Sequence, residues 1–261
     1  IIKKLAGSSK LILKLIKDIL DFSQSDAFVL IEGETGSGKT LVAHALHAVS
    51  QKMAKALITV HCSAYDNPTL SRRLFGPIEE ADNFLPAFEE AKGGTLILED
   101  IEKLPIDLQG KLLDKLVALE NSADIRLITV SNNSSPNFAK KIIRDDLYFR
   151  LSSLKILVPS LRKRENDIID LFTQYALSFA EEYGCLPPIL TKEQSSQLMQ
   201  APWPGNVRQL INIAEQIIIQ TRRGELNLSS LLILSEENIE NTITSDGKPL
   251  KLYVEAFEKS L

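Results

Sequence analysis

Between an apolar run, Ala27 to Ile31, and a helical pattern, Thr40 to Val49, the chain reads Gly33-Glu34-Thr35-Gly36-Ser37-Gly38-Lys39-Thr40. Few folds accommodate that octet. Its glycines let successive backbone N–H groups face inward around a phosphate, and Lys39 brings a point charge toward the β- and γ-phosphates. The Thr40 hydroxyl is placed to ligate Mg²⁺ at a helix N-terminus whose dipole favours anions. The strand-loop-helix context predicts binding of a nucleoside triphosphate. A glycine-rich turn capping an ordinary helix is the alternative, and it leaves the agreement of octet, preceding strand and following helix unexplained.

Around the octet, short apolar runs alternate with helical patterns. Phe28 to Ile31, Leu57 to Val60, Thr95 to Leu98, Arg126 to Val130 and Leu154 to Val158 read as buried strands, with helices near 40–52, 66–74 and 105–120 between them. The alternation predicts an α/β fold with a mainly parallel sheet covered on both faces. After Pro159 only helical patterns follow, near 165–183, 192–200 and 206–222, the last closed by Arg222, Arg223 and Gly224. We therefore expect an α/β domain over 1–160, a small all-α domain over 161–234, and over 235–261 a polar linker that leads into the start of a further helix. The sequence starts at Ile1 and stops inside a helical pattern, Tyr253 to Leu261, so it reads as a segment of a longer protein.

Thirty Lys and Arg against 34 Asp and Glu give a formal net charge of −4, which lacks the basic footprint of a nucleic-acid binder. DNA contact is expected only through a domain outside this chain. Cys62 and Cys185 are too few for a disulfide framework and point to a reducing, cytoplasmic setting. Leu11 to Leu20 carries Lys14, Lys17 and Asp18 at helical spacing, the mark of an amphipathic helix and not of a membrane span. His44 and His47 share a helix face, but no third or fourth ligand has suitable spacing for a metal.

A phosphate-binding loop needs an acidic strand end near its metal, and Gly93-Gly94-Thr95-Leu96-Ile97-Leu98-Glu99-Asp100 supplies one. One carboxylate can hold Mg²⁺ through water while its neighbour polarises the attacking water. The fourth strand ends in Ser131-Asn132-Asn133, which puts the Asn132 amide beside the γ-phosphate if that strand adjoins the P-loop strand.

Five motifs now stand in order: Gly33 to Thr40; Gly93-Gly94-Thr95-Leu96; Arg144-Asp145-Asp146-Leu147-Tyr148-Phe149-Arg150-Leu151; Leu161-Arg162-Lys163-Arg164; and Trp203-Pro204-Gly205-Asn206-Val207-Arg208-Gln209-Leu210. Together they resemble the AAA+ domain of bacterial sigma-54-dependent transcription activators. The resemblance implies a P-loop AAA+ sheet followed by a helical lid, ATP and Mg²⁺ as cofactors, and self-association into rings, usually hexamers, with ATP between subunits. It also implies that hydrolysis drives remodelling of sigma-54 RNA polymerase. On that resemblance Lys39 and Thr40 hold phosphate and metal, with Glu99 as the metal-side carboxylate and Asp100 as the base. Asn132 is sensor I, Arg208 is sensor II, and Arg144 and Arg150 are arginine fingers reaching a neighbour's γ-phosphate. Guanidinium groups suit such roles because they stay charged and match phosphate oxygens in a fork. Arg162 and Arg164 are expected instead in ion pairs with Glu165 and Asp167.

Four departures from the family pattern shape the functional expectation. Where the family carries a GAFTGA loop that touches sigma-54, this chain runs from Leu74 to Glu89 without the motif, and its second loop is reduced to Glu120-Asn121-Ser122-Ala123-Asp124. The family's acidic pair is Asp then Glu; here it is Glu99 then Asp100. His61 stands at a strand end where the family usually has Asn, placed to adjust the base near Asp100. The leading reading is a nucleotide-controlled oligomerisation switch of a transcription regulator, hydrolysing ATP slowly, with weak or absent sigma-54 remodelling. The alternative is an active sigma-54-dependent activator ATPase that uses another surface.

Overall fold

The computed structural model describes residues 7–76, 85–120, 124–132, 142–164 and 167–222. The expected linker, the open helical pattern beyond it, Asn133, Glu165, Arg223, Gly224 and most of the two shortened loops (77–84 and 121–123) lie outside the described residues. The chain divides into two compact units, Ile1–Asp167 and Ile168–Leu261.

In the first unit the five apolar runs form β1 (Val29–Glu32), β2 (Leu57–His61), β3 (Thr95–Glu99), β4 (Arg126–Ser131) and β5 (Leu154–Leu157). They pair in parallel in the order β2-β3-β4-β1-β5. β3 and β4 are buried along their whole length, as strands covered on both faces must be. One face packs α1 (Lys10–Ser23) and α2 (Lys39–Ala48), through Ile12, Leu15, Ile19, Val42 and Leu46, onto Val29, Ile31, Ile128 and Ile156. The other packs α3 (Asn67–Phe75), α4 (Ala87–Glu90), α5 (Ile106–Glu120) and α6 (Asp145–Leu151) onto Leu30, Leu96, Leu98 and Leu127. The chain leaves β1 toward one face and β3 toward the other, which opens a crevice at the carboxyl ends of the strands where such sheets bind ligands.

Three local details differ from the sequence pattern. α2 ends at Ala48, short of residue 52, because the Ser50 hydroxyl and backbone N–H both turn back to the His47 carbonyl. α4 and α6, of four and seven residues, are additional helices, too short to show a period of 3.6 in sequence. Arg126, which opens β4, is fully buried: its guanidinium donates to the Phe22 carbonyl at 2.8 Å and to those of Ser23 and Leu46 at 3.4 Å. A cation there complements the carboxyl ends of α1 and α2.

The second unit holds α7 from Ile168 onward (the helix spans Asp167–Tyr183), α8 (Lys192–Gln200) and α9 (Asn206–Arg222). α8 begins with a capping box between Thr191 and Gln194. Before α9, Trp203 is fully buried with its indole N–H donating to the Leu198 carbonyl at 2.8 Å, and Trp203 and Asn206 take positive φ. This turn fixes where α9 starts.

Candidate nucleotide-binding site

The octet forms the turn between β1 and α2. Gly36 and Gly38 adopt φ of 75° and 101°, a region that L side chains rarely enter, so glycine is required at both. Lys39 is buried, its Nζ donating to the Glu34 carbonyl at 2.8 Å, while Thr35 and Thr40 are exposed. The Ser37 hydroxyl is buried without a hydrogen-bond partner among the described residues. Beside the loop lies a groove of about 800 Å³ lined by Leu15, Gly33, Glu34, Val158, Pro159 and Lys163 among others.

The metal-side expectations meet in space. Thr40 Oγ1 donates to Glu99 Oε2 at 3.1 Å, although the two residues are 59 positions apart, because β3 delivers Glu99 to the loop's helix. The other oxygen, Glu99 Oε1, is buried and unpartnered among the described residues. His61 Nδ1 stands 3.4 Å from Glu99 Oε2, so His61 faces Glu99 and not, as the sequence reading had it, Asp100. His61 and Glu99 are paired in register across β2 and β3, which explains the contact.

Asp100 turns away from that pair because it follows the strand in a left-handed conformation, φ 55° and ψ 45°. Its two carboxylate oxygens accept from the Ser63 hydroxyl and from the Asn132 side-chain amide. β4 does adjoin β1, as the role given to Asn132 requires, and Asn132 also donates its backbone N–H to Glu102 at 3.3 Å. Behind this cluster, burial pushes the Cys62 thiol up to about 12, with the negative charges of Asp100 and Glu102 adding to the effect. Among the described residues no group of three or more His, Cys, Asp or Glu forms a separate metal site, and His47 instead sits buried with Nδ1 2.9 Å from Thr95 Oγ1.

The two candidate finger residues lie on α6. Arg144 caps it with an exposed side chain held by Asp146, at 3.2 Å from Nε and 2.7 Å from Nη2. That contact holds the Asp146 carboxyl below its ordinary value. Arg150 is half-buried in the last turn. Arg208 is exposed in the first turn of α9, in the second unit. The ion pairs expected downstream divide: Arg164 Nε does meet Asp167 at 3.3 Å, but Arg162 turns back to the octet and grips Glu34 with both terminal nitrogens, at 2.7 and 2.5 Å. The two parallel bonds match the planar guanidinium fork to the Glu34 carboxylate, while Glu165, the partner expected for Arg162, lies outside the described residues.

Sequence reasoning missed Ser63, the partner of Asp100, and Glu32, a buried acid in an otherwise apolar strand. The second carried a signal: Glu32 breaks a hydrophobic run one residue before Gly33.

With this geometry in place the comparisons with known proteins are decisive. The family model "Sigma-54 interaction domain" matches residues 5–157, and "AAA+ ATPase lid domain" matches residues 162–245. The chain belongs to the sigma-54 interaction domain family. Transcriptional regulatory protein GlrR of Escherichia coli (strain K12) is 33% identical over 263 residues, covering 95% of this chain and 57% of GlrR. The C4-dicarboxylate transport transcriptional regulatory protein DctD of Pseudomonas aeruginosa is 33% identical over 275 residues, covering 99% of this chain and 57% of DctD. NtrX from Brucella abortus in complex with ATP superposes with a TM-score of 0.78 at 30% identity, over 98% of this chain and 60% of that one. The chain thus spans little more than half of such relatives, and its P-loop AAA+ fold is that of the sigma-54 interaction domain family. No helix among the described residues is long and apolar enough to cross a membrane.

Proposed function

We propose that this chain is the ATP-responsive assembly module of a bacterial transcription regulator, acting in the cytoplasm. In this reading Mg-ATP draws subunits into a ring, a hexamer as in the family, and is hydrolysed slowly, while sigma-54 remodelling is weak or absent. The observation that carries the reading is the arrangement around Thr40. The Ser37 hydroxyl on one side and Glu99 Oε1 on the other are buried polar atoms without partners among the described residues, a donor suited to a phosphate oxygen and an acceptor suited to a metal-bound water. Bound Mg²⁺ would neutralise phosphate charge. Lys39 and the loop amides would hold the phosphates, and Leu15, Val158 and Pro159 offer apolar surface to a base.

Within that site Asp100, oriented by Ser63 and Asn132, would accept the proton of the attacking water. Its side chain is one methylene shorter than Glu, and a displacement of about 1 Å at a reacting group costs on the order of 10²-fold, so turnover suffers more than binding. Arg144 and Arg150 would serve the neighbouring subunit's phosphate, and Arg208 its own. DNA would be reached through a domain outside this chain. Loss of the GAFTGA sequence between Gly76 and Phe88 supports weak output to sigma-54. The second reading, a full remodelling ATPase, draws on the family match over residues 5–157.

Sedimentation velocity with and without Mg-ATP tests assembly: wild type should shift to larger species and Lys39→Ala should not. In vitro transcription with sigma-54 polymerase tests output. ATP-dependent open complexes above the no-activator background would overturn the switch reading in favour of remodelling.

A further inference from the structure

Glu32 closes β1 and immediately precedes the phosphate loop, yet it is only 5% exposed. An apolar residue would satisfy the strand, because a buried carboxylate is costly unless it is paired and hydrogen-bonded. Its partners explain the acid. Oε2 lies 2.6 Å from Nζ of Lys155 on β5, and Oε1 accepts from the Tyr148 hydroxyl at 3.5 Å. Lys155 Nζ closes the triangle by donating to that hydroxyl at 2.9 Å, and stands 5.6 Å from the centre of the Tyr148 ring. Burial alone would lower the Lys155 pKa, but the hydrogen bonds to Glu32 and Tyr148 outweigh it and raise the value.

Tyr148 lies in α6, four residues after Arg144 and two before Arg150. A seven-residue helix has too few internal hydrogen bonds to hold its own orientation. Gln109 of α5 fixes its start, accepting the Arg144 backbone N–H at 2.9 Å while donating to the Leu104 and Ile142 carbonyls. The Glu32–Lys155–Tyr148 triangle fixes its middle, and it does so from the root of the phosphate loop.

We propose that Glu32, acting through Lys155 and Tyr148, is a positioning residue that ties α6 to the phosphate loop of its own subunit and thereby sets where Arg144 and Arg150 stand for the neighbour's nucleotide. The inference rests on the reading of those arginines as fingers acting in trans. Glu32 touches no reacting atom; its effect passes through the helix to the next active site.

The experiment uses steady-state ATPase of mixed assemblies. Tyr148→Phe deletes only the hydroxyl and leaves the Glu32–Lys155 pair in place, so the fold should survive. Alone it should lose about ten-fold in kcat with KM for ATP changed less than about two-fold. Mixed with Lys39→Ala it should recover, because its intact loop can meet the other subunit's intact α6. Mixed with Arg150→Ala it should not, since neither partner then supplies a properly held finger helix. The reverse pattern, recovery with Arg150→Ala only, places the defect in the variant's own loop and overturns the proposal. Recovery with neither partner, or an unchanged kcat alone, also overturns it. The paired variant Glu32→Gln with Lys155→Gln removes both charges and should repeat the pattern. A control mixture of Lys39→Ala with Arg150→Ala separates the two levels. If the control recovers and the Tyr148→Phe mixture does not, only the positioning inference falls. If the control itself fails in a confirmed co-assembly, the trans reading falls with it.

Discussion

The phosphate loop is eight consecutive residues whose shape follows from Gly36 and Gly38 at positive φ and from the helix that Lys39 opens. α6, seven residues long, takes its place instead from Gln109 on α5, Glu32 on β1 and Lys155 on β5, residues separated from it by up to 116 positions. The first region takes its shape mainly from its own backbone, whereas the second borrows its place through hydrogen bonds to distant elements. Substitutions in the loop should therefore act on ligand binding within one subunit. Substitutions around α6 should act on turnover, at a distance, and through neighbours.

The widest separation is expected between Lys39→Ala and Arg150→Ala. Arg150→Ala should lower kcat by on the order of 10³-fold, the scale of a lost finger, with ATP still stabilising the protein. Lys39→Ala should abolish that stabilisation, which for wild type at about 100 times Kd amounts to about 2.7 kcal/mol. Thermal unfolding with and without Mg-ATP, alongside ATPase rates, measures both. If Arg150→Ala loses ATP stabilisation as completely as Lys39→Ala, α6 serves binding and the contrast between the regions collapses.

A further borrowed geometry lies at the start of α1. Asp167 is fully buried and accepts the backbone N–H groups of Ser8 and Ser9 at 2.7 and 2.9 Å, the Ser9 hydroxyl at 2.6 Å, and Arg164 Nε at 3.3 Å. Burial alone would raise its pKa, but these donors outweigh it and hold the carboxyl below its ordinary value. A depressed folded-state value contributes stability that is present above the unfolded pKa of about 3.9 and is lost as pH falls through the folded value. Asp167→Ala should cost about 3 kcal/mol at neutral pH, because it removes at once the acceptor of the Ser8 and Ser9 amides, of the Ser9 hydroxyl and of Arg164 Nε. The gap to wild type should stay constant above about pH 5 and narrow at more acid pH. Urea unfolding across that range decides it; a gap that widens on acidification would show that the Asp167 charge is not what clasps the N-cap.

How far the chain could be read from its sequence follows the same division. The loop, the five strands and the acidic strand end were legible because each is a local pattern with a local cause: glycine conformations, continuous apolar runs and a carboxylate pair at a strand end. The adjacency of β4 to β1, on which the placing of Asn132 depends, was legible only as a condition. The partner of Asp100, the grip of Arg162 on Glu34 and the facing of His61 to Glu99 were not legible. Each joins residues on separate elements, and nothing in the local pattern around Ser63, Glu34 or His61 encodes what the sheet order brings near. α6 escaped for the same reason, since a helix of seven residues held from outside shows no period of its own.

The smallest expected effect lies where the two modes of construction meet, at Glu99 and Asp100. Glu99 reaches the loop through Thr40, and Asp100 is oriented by Ser63 on one side and Asn132 on the other. Exchanging them, with Glu99→Asp and Asp100→Glu in one protein, shortens the metal-side carboxylate and lengthens the presumed base. If reach limits hydrolysis, kcat should rise by about ten-fold, because recovering part of a 1 Å deficit at a reacting group is worth that much. ATP affinity should change little, since the loop amides and Lys39 are untouched. Single-turnover hydrolysis with the nucleotide in known excess measures the chemical step apart from binding. An unchanged or lower rate in a folded double variant would mean that Ser63 and Asn132 have set the site for the shorter side chain. In that case Ser63→Ala in the wild-type background should lower kcat, whereas if reach alone is limiting it should leave the double variant's gain intact. The two outcomes assign the slow step either to a side chain's length or to the residues that borrow it into place.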